Sequence, residues 1–495
     1  MLELLSLPTT PTIVKTCELA GRKISYRVYE NLQYCLQPLD PIQTMNIYVP
    51  EPYYQGAAIG PYTKTTAPIF MPNAVGGYLP GPVEEPGWNE RLNTWNSLFL
   101  AIEHGYVVAS VGLRGRTSGK QTVEFFEGST TGIVSTETGN KVGRAPAFIV
   151  DLKAAIRYLR YNKGVLPGNT ERIITSGTSA GGALSALAGA TGNSEDFEPY
   201  LDEIGALKER DDIFAANCYC PIHNLENADA AYEWQFVNQL HFYRTKHLRT
   251  NSGTKRIPYN GRMTEDQQKM SKQLKRLFPA YVNRLELKDE QGRDLTLDEQ
   301  GEGSFKQFVK QALCESASQE LLTGQIREKL LNLMVVGSEI QQQDYLKIEK
   351  GRVVDLDWEA FVAKITRMKA TPAFDALDLS SPENEEFGDE LVAARHFTDF
   401  SLNNSVSPNS EKASEDIIKM INPTSYLKDC SVKVAPHWRV RHGAFDRDTS
   451  LAIPVILARL LANRGLDVDF ALPWGLPHSG DYDLEELFEW IDQLC

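Results

Sequence analysis

The feature that most constrains this 495-residue chain is a Gly-x-Ser-x-Gly pentapeptide that follows a β-branched run. Residues 173–182 read IITSGTSAGG, and the sequence that follows is rich in alanine and leucine. Gly177 and Gly181 flank Ser179 and leave room for a sharp turn and for the close approach of a ligand. The pentapeptide alone also fits an ordinary glycine–serine turn, so its surroundings must decide between the two interpretations.

The surroundings of Ser179 favour a nucleophile. Residues 148–162 read FIVDLKAAIRYLRYN, with apolar residues at the three- and four-residue spacing of an amphipathic helix. Residues 183–190 predict a second helix directly after the turn. The order helix, strand, turn, helix is the one that an α/β-hydrolase requires around its nucleophilic serine. The sequence therefore predicts this α/β fold class, with Ser179 as the nucleophile.

The strand signals divide the chain into two kinds of sequence. Short apolar or alternating runs predict strands within residues 24–50, 68–71, 106–111, 213–222, 432–442 and 468–472. Between them lies a long polar stretch with a mostly helical pattern, including helix predicted from 305 to 333. We therefore expect a catalytic domain formed by residues 1–222 and 421–495, interrupted by a large, mainly helical lid formed by residues 223–420.

Charge is unevenly distributed within the predicted lid. Residues 241–284 contain eleven lysines and arginines against two acidic residues, Glu265 and Asp266. Such a run is typical of a solvated helical face. The alternative function is electrostatic attraction of an acidic substrate toward the cleft.

A histidine and an acid must complete the predicted site. In this fold class the acid follows the nucleophile and the histidine comes last, each on a loop after a strand. His478 lies on the loop after the last predicted strand. Its main competitor, His442, lies just before the loop that follows the penultimate predicted strand. Asp446 follows the glycine turn of that loop, where a carboxylate can hold the imidazole tautomer. Asp448 and Asp481 are the alternatives, and Asp448 also fits a helix cap.

A tetrahedral intermediate needs hydrogen-bond donors for its oxyanion. The backbone amide of Ala180, the residue after the nucleophile, is one candidate. The second is expected from the glycine-rich segment MPNAVGGYLPG, in which either Gly76 or Gly77 can present an amide. A plain hairpin turn is the alternative interpretation of this segment.

Composition excludes several classes of function. The net charge of −14 disfavours nucleic acid as a partner, and no apolar run approaches the roughly 18 residues of a membrane span. The seven cysteines form neither a dense disulfide framework nor a metal-ligand spacing, so we expect no metal and no cofactor. Cys218 and Cys220 are predicted to be two buried thiols on one face of a strand.

The N-terminal sequence MLELLSLPTTPTIVK lacks the basic region and the long apolar region of a secretion signal. This pattern predicts a cytoplasmic protein. The alternative is a secreted protein whose signal is missing from this sequence. Nothing in the pattern predicts an oligomeric state.

Several longer blocks resemble those of the bacterial tannases, which are tannin acyl hydrolases. The blocks are MPNAVGGYLPG, GTSAGG, RMKATPAFD, ENEEFG, HGAFDRDTSLAIPVIL and VDFALPWGLPHSGDYD, and the resemblance runs from about residue 40 to the C-terminus. It implies an α/β-hydrolase core with a large lid and a catalytic triad of Ser179, Asp446 and His478. Fungal tannases flank the serine and histidine with a cysteine pair, whereas this chain has Thr178 and Ser479, which favours the bacterial branch.

The resemblance also implies a site for the three hydroxyls of a galloyl ring, formed by Lys369, Glu383 and Asp448, with Glu385 and Glu386 as neighbouring alternatives to Glu383. Carboxylates accept hydrogen bonds from phenols, and an ester without those hydroxyls would leave buried charges unpaired. The resemblance therefore implies a serine esterase that releases gallate and an alcohol from a small polyphenol ester.

Three other functions stay open from the sequence. A feruloyl or other aromatic-acid esterase is the nearest alternative, because it uses the same fold. An oligopeptidase-type serine peptidase also carries this kind of elbow. A catalytically inactive hydrolase fold that only binds ligands is the third.

Overall fold

The structure, a computed structural model, describes residues 5–8, 13–119, 124–126, 141–250, 253–323 and 344–495. Its strands are β1 (Ile13–Leu19), β2 (Arg22–Gln33), β3 (Thr44–Pro50), β4 (Pro68–Pro72), β5 (Trp88–Asn89), β6 (Thr94–Trp95), β7 (Val107–Val111), β8 (Glu124–Phe126), β9 (Asn169–Thr178), β10 (Ala215–Tyr219), β11 (His241–Thr250), β12 (Gly253–Arg262), β13 (Leu346–Glu349), β14 (Arg352–Leu356), β15 (His437–Arg441) and β16 (Asp467–Ala471).

The helices separate these strands along the chain. They are α1 (Ser97–Glu103), α2 (Ala147–Tyr161), α3 (Ala180–Ala190), α4 (Glu198–Glu203), α5 (Leu225–Phe236), α6 (Glu265–Arg284), α7 (Ser304–Thr323), α8 (Trp358–Ile365), α9 (Pro382–Glu386), α10 (Asp399–Asn403), α11 (Glu415–Met420), α12 (Ala452–Asn463) and α13 (Leu484–Leu494). In the described part of the chain, no helix is both long and apolar enough to cross a membrane.

A nine-stranded sheet in the order β1-β2-β3-β7-β4-β9-β10-β15-β16 forms the centre of the fold. In the order of the sheet, each neighbouring pair from β7 to β16 is parallel, whereas the pairs β1–β2, β2–β3 and β3–β7 are antiparallel. Every residue of β4, β7 and β10 is buried, which is typical of parallel strands covered on both faces. Parallel pairing brings the loops that follow β4, β9, β10, β15 and β16 to one edge of the sheet.

This architecture confirms the predicted fold class, an α/β-hydrolase sheet with a large insertion. The last predicted strand and the closing helix occur at Asp467–Ala471 and Leu484–Leu494. The helix predicted from residue 305 is α7, which the structure describes to Thr323; the rest of that prediction lies outside the described residues.

The expectation of helix for the basic stretch 241–284 is correct only for its second half. Strands β11 (His241–Thr250) and β12 (Gly253–Arg262) pair antiparallel, and β8 joins them in a separate three-stranded sheet. The helix α6 begins at Glu265, after a capping box formed by Thr264 and Gln267. The dense charge suggested a solvated helical face, but long cationic side chains also suit the exposed face of a hairpin, so charge alone does not identify the element.

Candidate active site

Ser179 lies at the sharp turn between β9 and α3. Its backbone has a φ of 64° and a ψ of −124°, a conformation that non-glycine residues rarely adopt. Two hydrogen bonds hold it there: Ser179 N donates to Tyr219 O at 2.9 Å, and Ile222 N donates to Ser179 O at 3.1 Å. The turn therefore presents Ser179 at the carboxyl edge of the sheet, as the nucleophile of a strand-turn-helix elbow requires.

The two glycines of the elbow are required by close packing. A Cβ on Gly177 would lie 2.3 Å from both Asn73 Nδ2 and Gly181 O, and one on Gly181 would lie 2.5 Å from Asn73 Oδ1. Asn73 fills this space and donates from Nδ2 to Ser176 O at 2.9 Å and to Gly181 O at 3.1 Å. The loop after β4 is therefore fastened to the elbow by a side chain that the sequence analysis did not single out.

The candidate oxyanion donors lie at the start of α3 and on the loop after β4, the two segments that Asn73 joins. Ala180 is the first residue of α3, so its amide belongs to the unpaired amino end of the helix. Gly76 and Gly77 lie on the loop after β4, where Leu79 N donates to Gly76 O at 3.0 Å. Within the described ranges, the amides of Gly76 and Gly77 donate to no acceptor, which leaves them available to a ligand.

The predicted acid and histidine meet directly. His478 Nδ1 lies 2.7 Å from Asp446 Oδ2, and Asp446 is fully buried. The other carboxylate oxygen accepts a hydrogen bond from Asp448 N at 2.8 Å. His478 Nε2 is buried and has no hydrogen-bond partner among the residues that the structure describes. That arrangement fixes the imidazole through Nδ1 and leaves Nε2 for proton transfer.

Close backbone packing brings these two loops and the elbow together. Ala444 N donates to Pro473 O at 3.0 Å, which joins the loop after β15 to the loop after β16. A Cβ on Gly443 would lie 2.2 Å from Leu476 O, and one on Gly480 would lie 1.9 Å from Thr178 Oγ1. Glycine is therefore required where the histidine loop meets both its neighbours.

The charges around the pair shift the two pKa values in opposite directions. Burial alone would raise the pKa of Asp446, but the adjacent imidazoles of His478 and His442 outweigh burial and hold it well below its ordinary value. Burial alone would lower the pKa of His478, but the carboxylates of Asp446 and Asp448 raise it well above its ordinary value. Asp446 therefore stays ionised, and His478 keeps its proton to a higher pH than a free imidazole does.

His442, the competing histidine, packs against the same carboxylate. Its Nε2 lies 3.5 Å from Asp446 Oδ2, and its side chain is fully buried. Cys218 and Cys220 are both buried, as predicted, and the Cys220 thiol donates to Ser479 O at 3.2 Å. Ligand atoms of Cys220, His442 and Asp446 lie within 4.8 Å of one another, so these three could approach one cation; the hydrogen bond from His478 already engages the carboxylate.

The predicted ring-binding residues Lys369 and Asp448 form an ion pair beside the imidazole. Lys369 Nζ lies 2.6 Å from Asp448 Oδ1, while Asp448 Oδ2 lies 3.7 Å from His478 Nε2. Lys369 also lies over the ring of Phe374, at 3.7 Å from its centroid. Burial opposes ionisation of Asp448, but the charges of Lys369 and His478 outweigh it and lower its pKa. Asp448 does not cap α12, which has no side-chain cap.

A buried network holds the segment that carries Lys369. Tyr232 Oη accepts hydrogen bonds from Met368 N at 3.0 Å and Lys369 N at 3.1 Å. Arg367 Nη2 lies 2.6 Å from Glu233 Oε1, and both side chains are fully buried. These partners lie more than 130 positions apart, so no local sequence pattern points to them.

Asp229 fixes the next turn of the same segment. Its carboxylate accepts hydrogen bonds from the amides of Ala373, Phe374 and Asp375 at 2.6, 2.9 and 2.9 Å. Burial raises the pKa of Asp229 to about 7 despite these donors. These three hydrogen bonds hold the turn that follows Lys369 in place.

The three acidic residues of α9 have different surroundings. Glu385 forms an ion pair with Arg116, and Glu386 is fully buried, which raises its pKa well above the ordinary value. Glu383 is 9% exposed, and its carboxylate takes part in no hydrogen bond or ion pair with the described residues. Both carboxylate oxygens of Glu386 are also buried without a hydrogen-bond partner among the described residues, so Glu383 differs from it by its partial exposure, and its role in binding stays a prediction.

Comparisons with known proteins support the same family. The family described as BD-FAE matches residues 137–230. Esterase LipQ of Mycobacterium tuberculosis is 31% identical over 108 residues, which are 22% of this chain and 24% of that protein. The chain thus spans only about a quarter of the length of that curated relative.

Solved structures match over nearly the whole chain. Tannase from Lactobacillus plantarum is 46% identical, with a TM-score of 0.90, and the match covers 99% of this chain and 100% of that one. Fusobacterium nucleatum tannase is 44% identical at a TM-score of 0.88, covering 99% of each chain. A tannin acyl hydrolase in complex with ethyl gallate is 45% identical at 0.87, again over 99% of each chain. On this evidence, the chain belongs to the bacterial tannase family of carboxylic ester hydrolases, within the α/β-hydrolase superfamily.

Proposed function

We propose that the chain is a serine esterase that hydrolyses galloyl esters, such as tannins and alkyl gallates, to gallate and an alcohol. One observation carries the proposal: Asp448 contacts Lys369 through one oxygen at 2.6 Å and lies 3.7 Å from His478 Nε2 through the other. The pair that we assign to ring recognition, Lys369 and Asp448, therefore lies next to the proposed general base, His478.

In the first step we assign Ser179 as nucleophile and His478 as general base. Nδ1 of His478 donates to Asp446, so the neutral imidazole accepts the Ser179 proton at Nε2 while Oγ attacks the ester carbonyl. The negative charge that develops on the carbonyl oxygen is stabilised by the amide of Ala180 and by that of Gly76 or Gly77. The C–O bond to the alcohol then breaks, and the alcohol takes the proton from His478.

In the second step, water attacks the galloyl–Ser179 ester. His478 accepts a proton from that water, the acyl C–O bond to Ser179 breaks, and Ser179 recovers its proton from His478. The products are gallic acid, which ionises in solution, and the free enzyme.

We assign the three ring hydroxyls to Lys369, Asp448 and Glu383. Each side chain is at most 9% exposed, and the Glu383 carboxylate has no partner among the described residues, so a ligand without those hydroxyls would leave that carboxylate desolvated and unpaired. This is the physical basis for rejecting unsubstituted aromatic esters. The relative crystallised with ethyl gallate supports a phenolic ester as the small-molecule partner.

We further propose that residues 1–222 and 421–495 form the catalytic domain and residues 223–420 form the lid. In this division, Lys369 and Glu383 come from the lid, whereas Asp448 and the triad come from the core. The substrate would therefore bind where the two parts meet, and ring specificity would reside largely in the lid.

Hydrolysis of methyl gallate and methyl ferulate by the purified protein and by its Ser179→Ala variant tests the proposal. We expect the parent enzyme to prefer methyl gallate, and the variant to lose roughly 10⁴- to 10⁶-fold in kcat. Preference for methyl ferulate would favour an aromatic-acid esterase of another specificity. Parent-like turnover by the variant would contradict the mechanism.

A further inference from the structure

A buried arginine contacts the carbonyl side of the glycine loop. Arg116 N donates to Tyr78 O at 2.7 Å, and Arg116 Nε donates to Gly77 O at 2.8 Å. A Cβ on Gly115 would lie 2.5 Å from Tyr78 O, so the backbone before Arg116 packs against the glycine loop too closely for any residue but glycine. Arg116 therefore holds the peptide groups that follow Gly77.

The same side chain reaches the helix that carries Glu383. Arg116 Nη1 forms an ion pair with Glu385 of α9, and the side chain of Arg116 is only 3% exposed. Arg144 reinforces the link, because its Nη1 donates to Arg116 O and lies 3.2 Å from Glu385 Oε1. Ala145 N also donates to Glu386 O at 3.0 Å, which ties α9 to the same region.

We propose that Arg116 is a positioning residue that couples the ring-binding helix α9 to the loop carrying the oxyanion donors. This inference rests on the proposed function, since it concerns the alignment of Gly76 and Gly77 with the reacting carbonyl. Gly77 has a positive φ of 56°, and its two flanking peptide groups are held by Leu79 N on one side and by Arg116 on the other.

An arginine suits this position for a geometric reason. The rigid guanidinium directs Nε toward Gly77 O while Nη1 contacts Glu385, so one side chain serves two acceptors at fixed angles. Lysine keeps the charge, but its single terminal nitrogen lacks this fork. Arg116→Lys therefore removes the coupling while keeping a cation in the cluster.

The first test is Arg116→Lys with methyl gallate. A displaced oxyanion donor acts in the transition state, so we expect kcat to fall about 10- to 100-fold while KM stays within about threefold. Arg114→Lys is the matched control, because Arg114 is also buried but pairs with Asp151 rather than with the glycine loop. Circular dichroism and thermal unfolding establish the folded fraction of each variant, and rates are compared per folded enzyme.

The second test is a double-mutant cycle between Arg116→Lys and Glu383→Gln. If α9 acts on the oxyanion loop through Arg116, the double variant loses less in kcat than the product of the two single losses. Glu385→Gln, which removes the charge contacted by Arg116, should lower kcat in the same direction and serves if Arg116→Lys does not fold.

Two results would overturn the inference. One is that Arg116→Lys and Glu385→Gln lower kcat no more than Arg114→Lys does. The other is that the losses in kcat in the double-mutant cycle are multiplicative. The Ser179→Ala variant keeps this failure separate from failure of the proposed function. If Ser179→Ala is inactive while the cycle is multiplicative, the esterase mechanism stands and only the coupling is wrong.

Discussion

At the residue scale, we expect the ionisation of His478, the proposed general base, to set the pH range of activity. Two carboxylates, Asp446 at 2.7 Å and Asp448 at 3.7 Å, raise its pKa well above the ordinary value even though burial opposes the charge. A general base must be neutral to accept a proton, so a higher pKa delays the active form to higher pH.

We therefore expect the acidic limb of kcat/KM to have its midpoint above 6.5, the pKa of an ordinary imidazole. The measurement is kcat/KM for methyl gallate as a function of pH, because this ratio reports the ionisation of the free enzyme. A midpoint at or below that value, or a flat profile, would contradict the assignment of His478.

Asp448→Asn separates the two roles that we give to Asp448. Loss of its charge removes one cause of the raised pKa of His478, so the acidic limb should move to lower pH. Loss of a charged ring contact should also lower kcat/KM for methyl gallate about 10- to 100-fold, with a much smaller effect on methyl benzoate.

The control for this variant is Asp467→Asn. Asp467 is also a carboxylate paired with a histidine, His437, but it is exposed. The control should change neither the pH profile nor the selectivity. Equal losses on both esters in Asp448→Asn would argue against a role in ring recognition.

The residues that could be chosen from sequence have local signatures or a fixed order in the chain. Ser179 lies in a strand-turn-helix pattern, and Asp446 and His478 each follow a predicted strand. Tyr232 and Asp229 have no such signature, because what they do depends on hydrogen bonds to residues 136 to 146 positions away. Only the folded chain brings them beneath Lys369.

At the element scale, the parallel half of the sheet explains why distant segments converge. The strands β9, β15 and β16 end at one edge, and the loop that follows each carries one candidate for the triad. Apolar patterning predicted these strands, of which β9 and β15 are mostly buried, whereas β16, at the edge of the sheet, is only partly buried. The hairpin β11–β12 was not predicted, since its charge pattern is equally compatible with an exposed helix face.

Gly480→Ala tests the packing of the histidine loop against the elbow. Its new Cβ would overlap Thr178 Oγ1 at 1.9 Å, so the loop and His478 should move. We expect kcat for methyl gallate to fall about 10- to 100-fold. The second-site change Thr178→Ala removes the overlapping oxygen, so the double variant should recover part of that loss.

Gly87→Ala is the control for the Gly480 variants, because only Glu85 O approaches its added Cβ, at 4.0 Å. It should leave kcat unchanged. Parent-like activity in Gly480→Ala would mean that the histidine loop does not depend on this close contact.

At the scale of the whole molecule, hydrogen bonds and apolar contacts join the proposed lid to the proposed core. Tyr232 Oη donates to Arg447 O at 3.0 Å, and Leu451 N donates to Gln235 Oε1 at 2.9 Å. Arg459 Nε donates to Lys288 O at 2.9 Å, and apolar side chains from both parts belong to one contiguous cluster. The two parts are therefore expected to unfold together.

Differential scanning calorimetry should accordingly record one cooperative transition. Gallate should raise its midpoint, because a ligand bound to the native state alone stabilises that state by mass action. Two well-separated transitions, with gallate shifting only one of them, would contradict a substrate site shared by the core and the lid.

The most direct measurement of the central claim is peptide mapping after reaction with a fluorophosphonate, which reacts covalently with an activated serine. We expect one adduct, on Ser179, that forms with the loss of methyl gallate hydrolysis and is slowed by gallate. An adduct on another residue, or full hydrolysis by protein modified at Ser179, would contradict it.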